Sequence, residues 1–168
     1  MIKNDSAQRY FTQAYMLRET IPDFHLEVDH WLTLSKNLDD ALYQNGWSTE
    51  TLRYGDHARQ DIQLYRVAAG KPSKGLAVFI HGGFWRMMDR EQSHFMAQPY
   101  LERGWDCAII EYRLMPEYRL TDLVDDTVSA LHKLSQSGHW PRRILSGHSA
   151  GAHLAWHGGL AARASGSS

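Results

Sequence analysis

Gly147-His148-Ser149-Ala150-Gly151 fits the pattern Gly-x-Ser-x-Gly, and its setting decides how the rest of the chain is read. A serine hydroxyl is a weak nucleophile at neutral pH and must lose its proton to a neighbouring base as it attacks a carbonyl. On a sharp strand-to-helix turn such a serine projects into a cleft, and small flanking residues let the turn pack tightly. The surroundings suit that geometry. Ile144-Leu145 is a short apolar run after Pro141-Arg142-Arg143, and Ala152, Leu154, Ala155 and Trp156 read as the start of a helix. The amide of Ala150 then opens the helix and points at a developing oxyanion. Taken alone, the pentapeptide is equally consistent with a glycine and serine turn that does no chemistry.

A second stretch tips that balance. Leu76-Ala77-Val78-Phe79-Ile80 is a continuous apolar run of the kind buried on both faces of a parallel sheet, and it leads straight into His81-Gly82-Gly83-Phe84-Trp85. Two glycines after a buried strand let the main chain turn and present amide hydrogens to a ligand with no Cβ in the way. Gly83 and Phe84 are the expected upstream oxyanion donors, and Gly82 shapes the turn.

His81 to Trp85 and Gly147 to Gly151 together resemble the α/β-hydrolases. The closest likeness is to the branch whose oxyanion strand ends His-Gly-Gly-x-Trp, which includes kynurenine formamidases and related carboxylesterases. Phe84 stands where the lipase and esterase branch has a third glycine, which favours the formamidase-like branch. Softer matches are Tyr54-Gly55-Asp56 and Asp61-Ile62-Gln63-Leu64-Tyr65, like the family's first hairpin, and Glu111-Tyr112-Arg113-Leu114, like the end of its next parallel strand.

The resemblance implies an α/β fold, a mostly parallel sheet flanked by helices. It implies a small carboxylic ester or aryl formamide as substrate, and an acyl-enzyme on Ser149. Gly82, Gly83, Phe84 and Ala150 would form the oxyanion hole, and His81, Trp85 and His148 are offered as substrate-pocket residues. No cofactor and no metal are expected.

In the family the triad runs serine, acid, histidine, with the last two on loops after later strands. Only 17 residues follow Gly151, and none is Asp or Glu. His153 and His157 lie within the helix that the serine opens, where residues four apart share a face, so neither is placed like a base arriving from another loop. The expectation is therefore a partial fold, truncated after the elbow, with its C-terminal strands and helices missing. Two readings follow: a hydrolase whose acid and base come from a longer product or another chain, and an inactive fragment.

Other sites are weaker. His153-x-x-x-His157 has Leu154 where the zincin pattern needs Glu. Asp122, Asp125 and Asp126 fall in the first turns of a helix carrying Leu120, Leu123, Val124, Val128, Leu131 and Leu134, where the helix dipole favours carboxylates. His81 itself reads as a hydrogen-bonding support for its turn more than as a base.

Composition bounds the rest. With 168 residues, 43% hydrophobic and 22% charged, the chain is an ordinary globular domain. A net charge of −1 argues against nucleic acid or an anionic membrane as partner. The single Cys107 sits in an apolar run and reads as a buried thiol. With no signal peptide or membrane span visible, a cytoplasmic location is expected.

Three regions are expected. Residues 1–45 form a helical segment, two amphipathic helices broken at Ile21-Pro22, the second carrying Phe24, Val28, Trp31, Leu32, Leu38 and Leu42. Residues 46–157 form the α/β part: a hairpin (50–68), strands at 76–80 and 105–111, a helical stretch opened by Asp89 and interrupted by Pro99, a helix at 121–136, and a strand with its elbow at 143–149. Residues 158–168 form a small-residue tail without core-forming side chains. The strand before Ser149 is then an uncovered sheet edge through which copies could associate.

Overall fold

The computed structural model describes Tyr10 and residues 23–164. The first expected helix and the break at Ile21-Pro22 lie outside the described residues.

Five strands form one sheet in the order β1-β2-β4-β3-β5: β1 (Ser48–Arg53), β2 (Asp61–Arg66), β3 (Leu76–Ile80), β4 (Asp106–Ile110) and β5 (Arg143–Gly147). The hairpin β1-β2 is antiparallel, and so is its junction with β4, while β3 runs parallel to both β4 and β5. The sheet is thus mixed, with its parallel part where the two glycine motifs emerge.

Every residue of β3 and β4 is buried, because helices cover both faces. Alternation within each strand sends side chains to two cores. Leu76, Val78 and Ile80 join Ile62, Leu64, Ala108, Ile110, Leu123, Leu134 and Leu154 on one face. Ala77 and Phe79 join Tyr65, Cys107, Ile109, Leu38, Leu42, Ala97 and Leu101 on the other. Each such aliphatic side chain contributes about 1.5–3 kcal/mol on leaving water.

The first face is covered by α3 (Leu120–Ser137) and α4 (Ala150–Ala164). The second is covered by α1 (Phe24–Asn45), a 3-10 segment (Arg90–Ala97) and the short α2 (Gln98–Glu102). Asp89 opens the 3-10 segment as a reciprocal cap: its carboxylate accepts from the Glu91 amide at 2.9 Å, and its own amide donates to Gln92 at 2.8 Å. Pro99 falls in the first turn of α2, where its missing N–H has no helical acceptor to lose. It therefore helps to start a new helix where an interruption was expected.

The tail expectation needs correction. Helix α4 continues through Ala164, and Gly158 and Ala162 are buried in it. Gly158 packs directly against the Thr127 side chain of α3. Small residues here are the means of close helix packing, not a sign that the segment lies outside the core. Residues 165–168 lie outside the described residues.

Candidate active site

Register brings the two motifs together. Ile80 at the end of β3 is level with Ile110 of β4 on one side and with Gly147 of β5 on the other. The next residues, His81, Glu111 and His148, therefore leave the sheet side by side. The His148 amide donates to the Ile80 carbonyl at 3.1 Å, extending the parallel pairing into the turn. A Cβ on Gly82 would lie 3.0 Å from the His148 carbonyl oxygen and 3.4 Å from the Ser149 Cβ, so the two bends touch.

Ser149 sits on a strained turn. Its φ is 52°, a left-handed conformation that costs a non-glycine residue on the order of 1–3 kcal/mol. The strain persists because the surroundings over-determine it. The Gly151 amide donates to His148 at 2.8 Å and the Ala152 amide to Ser149 at 3.0 Å, starting α4 at once. Gly151 lies so close to the Ile80 and His81 carbonyls that any Cβ would collide with backbone oxygen. Ser149 and His148 are exposed, and Ala150 is buried at the helix start.

The bend after β3 is stranger. Gly83, Phe84 and Trp85 have consecutive positive φ values of 110°, 54° and 59°, and Met88 follows at 69°. The Gly83 carbonyl accepts from the Arg86 and Met87 amides at 2.9 and 3.0 Å, which winds the segment into a tight loop. Among the described residues, the amides of Gly83, Phe84 and Ala150 donate to no backbone acceptor. Backbone donors left unused in this way are free to bind an anion. Phe84 is 40% exposed, and the Trp85 and His153 rings meet at right angles with centroids 5.4 Å apart.

His81 is not a pocket residue. Its side chain is fully buried and points into the sheet end, with Nδ1 2.8 Å from the Gly82 carbonyl and Nε2 3.0 Å from the Glu111 carboxylate. The Tyr112 ring stacks on it at 4.4 Å, and the Tyr112 hydroxyl reaches the His81 and Gly82 carbonyls at 2.9 and 3.1 Å. A side chain with no exposed surface cannot line a cleft, so the expectation of a pocket role fails and that of a turn support fits the contacts.

Glu111 is the hub. It accepts from Arg59 at 2.6 Å, from the Tyr112 amide at 2.9 Å and, through its other oxygen, from the Arg90 amide at 2.9 Å. Burial alone would raise its carboxyl pKa. The hydrogen bond and charge of His81, then Arg59 and the Arg90 amide, outweigh that and hold it below the ordinary carboxylate value. Arg59 also donates to the Tyr112 carbonyl at 2.9 Å and to the Met88 carbonyl at 2.6 Å. The sequence motifs give no role to Arg59, Glu111 or Tyr112. The available signal was a carboxylate directly after the apolar run Cys107-Ala108-Ile109-Ile110, since an acid at the end of a buried strand needs a partner.

The acidic cluster also divides. Asp122 caps its own helix, accepting from the Arg119 amide at 2.7 Å, and Asp125 is exposed. Asp126 is buried and holds Arg113, with contacts at 2.7 Å to Nη2 and 3.0 Å to the Arg113 amide, and accepts from Gln60 at 2.7 Å. The helix dipole does not account for Asp126; a buried ion pair does.

No histidine ring bonds the Ser149 hydroxyl among the described residues; the ring nitrogens that have partners belong to His57, His81 and His132. His153 is half-buried and its ring lies 4.4 Å from that of the exposed His157. Burial and then the charge of His157 lower the His153 pKa. Among the described residues no three potential ligands converge on a metal position, and no helix is long and apolar enough to cross a membrane.

Residues 77–168, more than half of the chain, match the family described as alpha/beta hydrolase fold. A kynurenine formamidase of Drosophila melanogaster is 29% identical over 156 residues, covering 89% of this chain and 52% of its own length. That of Danio rerio is 30% identical over 111 residues, covering 64% of this chain and 38% of its own. The chain thus spans about half or less of the length of these curated relatives. Among solved structures, a putative thioesterase from Silicibacter sp. superposes with a TM-score of 0.74 at 28% identity, covering 86% of this chain and 53% of that one. A bacterial heroin esterase gives 0.61 at 26% identity, covering 79% and 47%. With its parallel strand ends, touching bends and this match, the chain belongs to the alpha/beta hydrolase fold family.

Proposed function

We propose that the chain carries the nucleophile and oxyanion-binding half of a serine-dependent hydrolase for a small carboxylic ester or aryl formamide. The observation that carries this reading is the contact of the two bends at Gly82: one bend carries the unused amides of Gly83 and Phe84, and the other the exposed Ser149 and the unused amide of Ala150. Ester and formamide cleavage share one demand. As Ser149 Oγ attacks, the carbonyl oxygen gains negative charge, and N–H groups already aimed at it lower the barrier without reorganising. The relatives named as formamidases and esterases support the substrate class.

The proton of Ser149 must pass to an imidazole and then to the leaving group. His153 faces Trp85, and its ring makes no hydrogen bond to the hydroxyl among the described residues. In this reading the acid and the base come from further polypeptide. A second reading, a fragment that binds but turns nothing over, is favoured by the same unbonded hydroxyl.

The test is covalent labelling by a fluorophosphonate probe, followed by mass spectrometry. Labelling is expected on Ser149 and lost in Ser149→Ala; in a complete triad that loss is about 10⁶-fold in turnover, or about 8 kcal/mol of barrier. Folded protein that carries the acid and base and still takes up no label sinks the first reading, and Ser149-dependent hydrolysis of p-nitrophenyl acetate by this chain alone sinks the second.

A further inference from the structure

We infer that Glu111 and Tyr112, at the end of β4, are positioning residues that set where the Gly83 and Phe84 amides point. The inference rests on the reading above, and it concerns a part of the molecule that never touches substrate.

The ten-residue bend from His81 to Arg90 is held at both ends by one carboxylate. Its start is held through His81 Nε2 and its finish through the Arg90 amide, at 3.0 and 2.9 Å. Arg59 adds a second tie at the far end, joining the Met88 carbonyl to Glu111 Oε1. At the near end, the Tyr112 hydroxyl donates to the His81 and Gly82 carbonyls. This last contact matters most for direction. A peptide unit is rigid, so fixing the Gly82 carbonyl fixes the Gly83 amide on its opposite side.

Three successive left-handed residues follow, and two of them carry side chains. Backbone of that kind relaxes unless its surroundings hold it. Here the surroundings are a fully buried imidazole, a nearly buried carboxylate and a stacked phenol. Burial also raises the pKa of Tyr112, so its hydroxyl keeps the proton that it donates. The network is therefore a frame for the bend: His81 is the bend's own first residue, and the partners that hold it, Arg59, Glu111 and Tyr112, come from the approach to β2 and the end of β4.

Tyr112→Phe removes the donor and keeps the ring; Glu111→Gln keeps the shape and removes the charge that matches Arg59. Amide hydrogen exchange read by mass spectrometry compares residues 81–90 with the strands 76–80 and 106–110. In Tyr112→Phe, exchange of 81–90 is expected to rise about tenfold, the equivalent of one hydrogen bond, with the strands unchanged. Fluorophosphonate inactivation should lose about tenfold in its maximal rate while the half-saturating probe concentration stays put, because alignment is lost and not probe binding. Glu111→Gln, which disturbs both ends of the bend, should exceed both effects.

Unchanged exchange in 81–90 for both variants overturns the inference. So does a rise shared equally with the strands, which marks general destabilisation, or a loss confined to probe affinity. If wild-type protein that includes the acid and base takes no label, the reading of Ser149 fails by itself, and the exchange comparison alone decides whether Glu111 and Tyr112 hold the bend.

Discussion

The two bends that meet at Gly82 are secured in opposite ways. The bend after β3 hangs on side chains drawn from distant sequence: Arg59, Glu111 and Tyr112 all converge on it. The elbow after β5 has no such frame. It is fixed by its own backbone hydrogen bonds and by Gly147 and Gly151 lying against neighbouring main chain. Outward from it, β5 pairs only with β3 among the described residues, and Ile144, Trp156 and Leu160 are exposed. One half of the site is enclosed by the chain itself, and the other stands at a bare sheet edge. Folding information for the first is polar and long-range, whereas for the second it is steric and local.

A steric device should fail abruptly. In Gly151→Val the new side chain meets the carbonyl oxygens of Ile80 and His81, which belong to a central strand end and cannot swing aside. Overpacking ordinarily costs 1–3 kcal/mol; against backbone, upwards of about 4 kcal/mol is expected. Urea denaturation measures it. A variant within about 1 kcal/mol of wild type would mean that the elbow is not held by close approach, and the contrast between the bends would collapse.

A polar frame should fail by degrees. Asp126→Ala leaves Arg113 without the carboxylate that accepts four of its contacts, next to Tyr112. Breaking a buried pair by removing one partner costs about 3–5 kcal/mol; Arg113 is 20% exposed, so the lower end, about 3 kcal/mol, is expected. Asp126→Asn keeps part of the hydrogen bonding and should recover some of that loss. The same denaturation series checks both, and equal losses would show that charge, not hydrogen-bond geometry, does the holding.

The sequence shows the steric half well and the polar half badly. Runs such as Leu76–Ile80 and Cys107–Ile110 declare buried strands by composition alone, and the glycines of the elbow declare a turn. The partners of Glu111 are different: His81 lies 30 positions away and Arg59 lies 52. Which residues meet there depends on strand order and register, which no local pattern contains. Asp126 reads as a helix-dipole carboxylate for the same reason, since its true partner follows a different element. The tail beyond Gly158 misled in another way: small residues signal either looseness or close packing, and only the presence of Thr127 opposite decides.

The smallest expected effect concerns the bare edge. Ile144 is 42% exposed, and beside β5 an apolar groove of about 620 Å³ runs along Leu145, Ala155, Trp156 and Leu160. An unpaired strand edge is a template for pairing, and natural sheets blunt it with lysine. Self-association is therefore expected to grow with concentration in sedimentation velocity. Ile144→Lys should suppress it while changing the denaturation free energy by less than about 0.5 kcal/mol, since an exposed position contributes little to the fold. Association that ignores this substitution would place the contact elsewhere. Stability that falls sharply would mean that Ile144 is held by the core after all, and that both bends, not one, are enclosed by the chain.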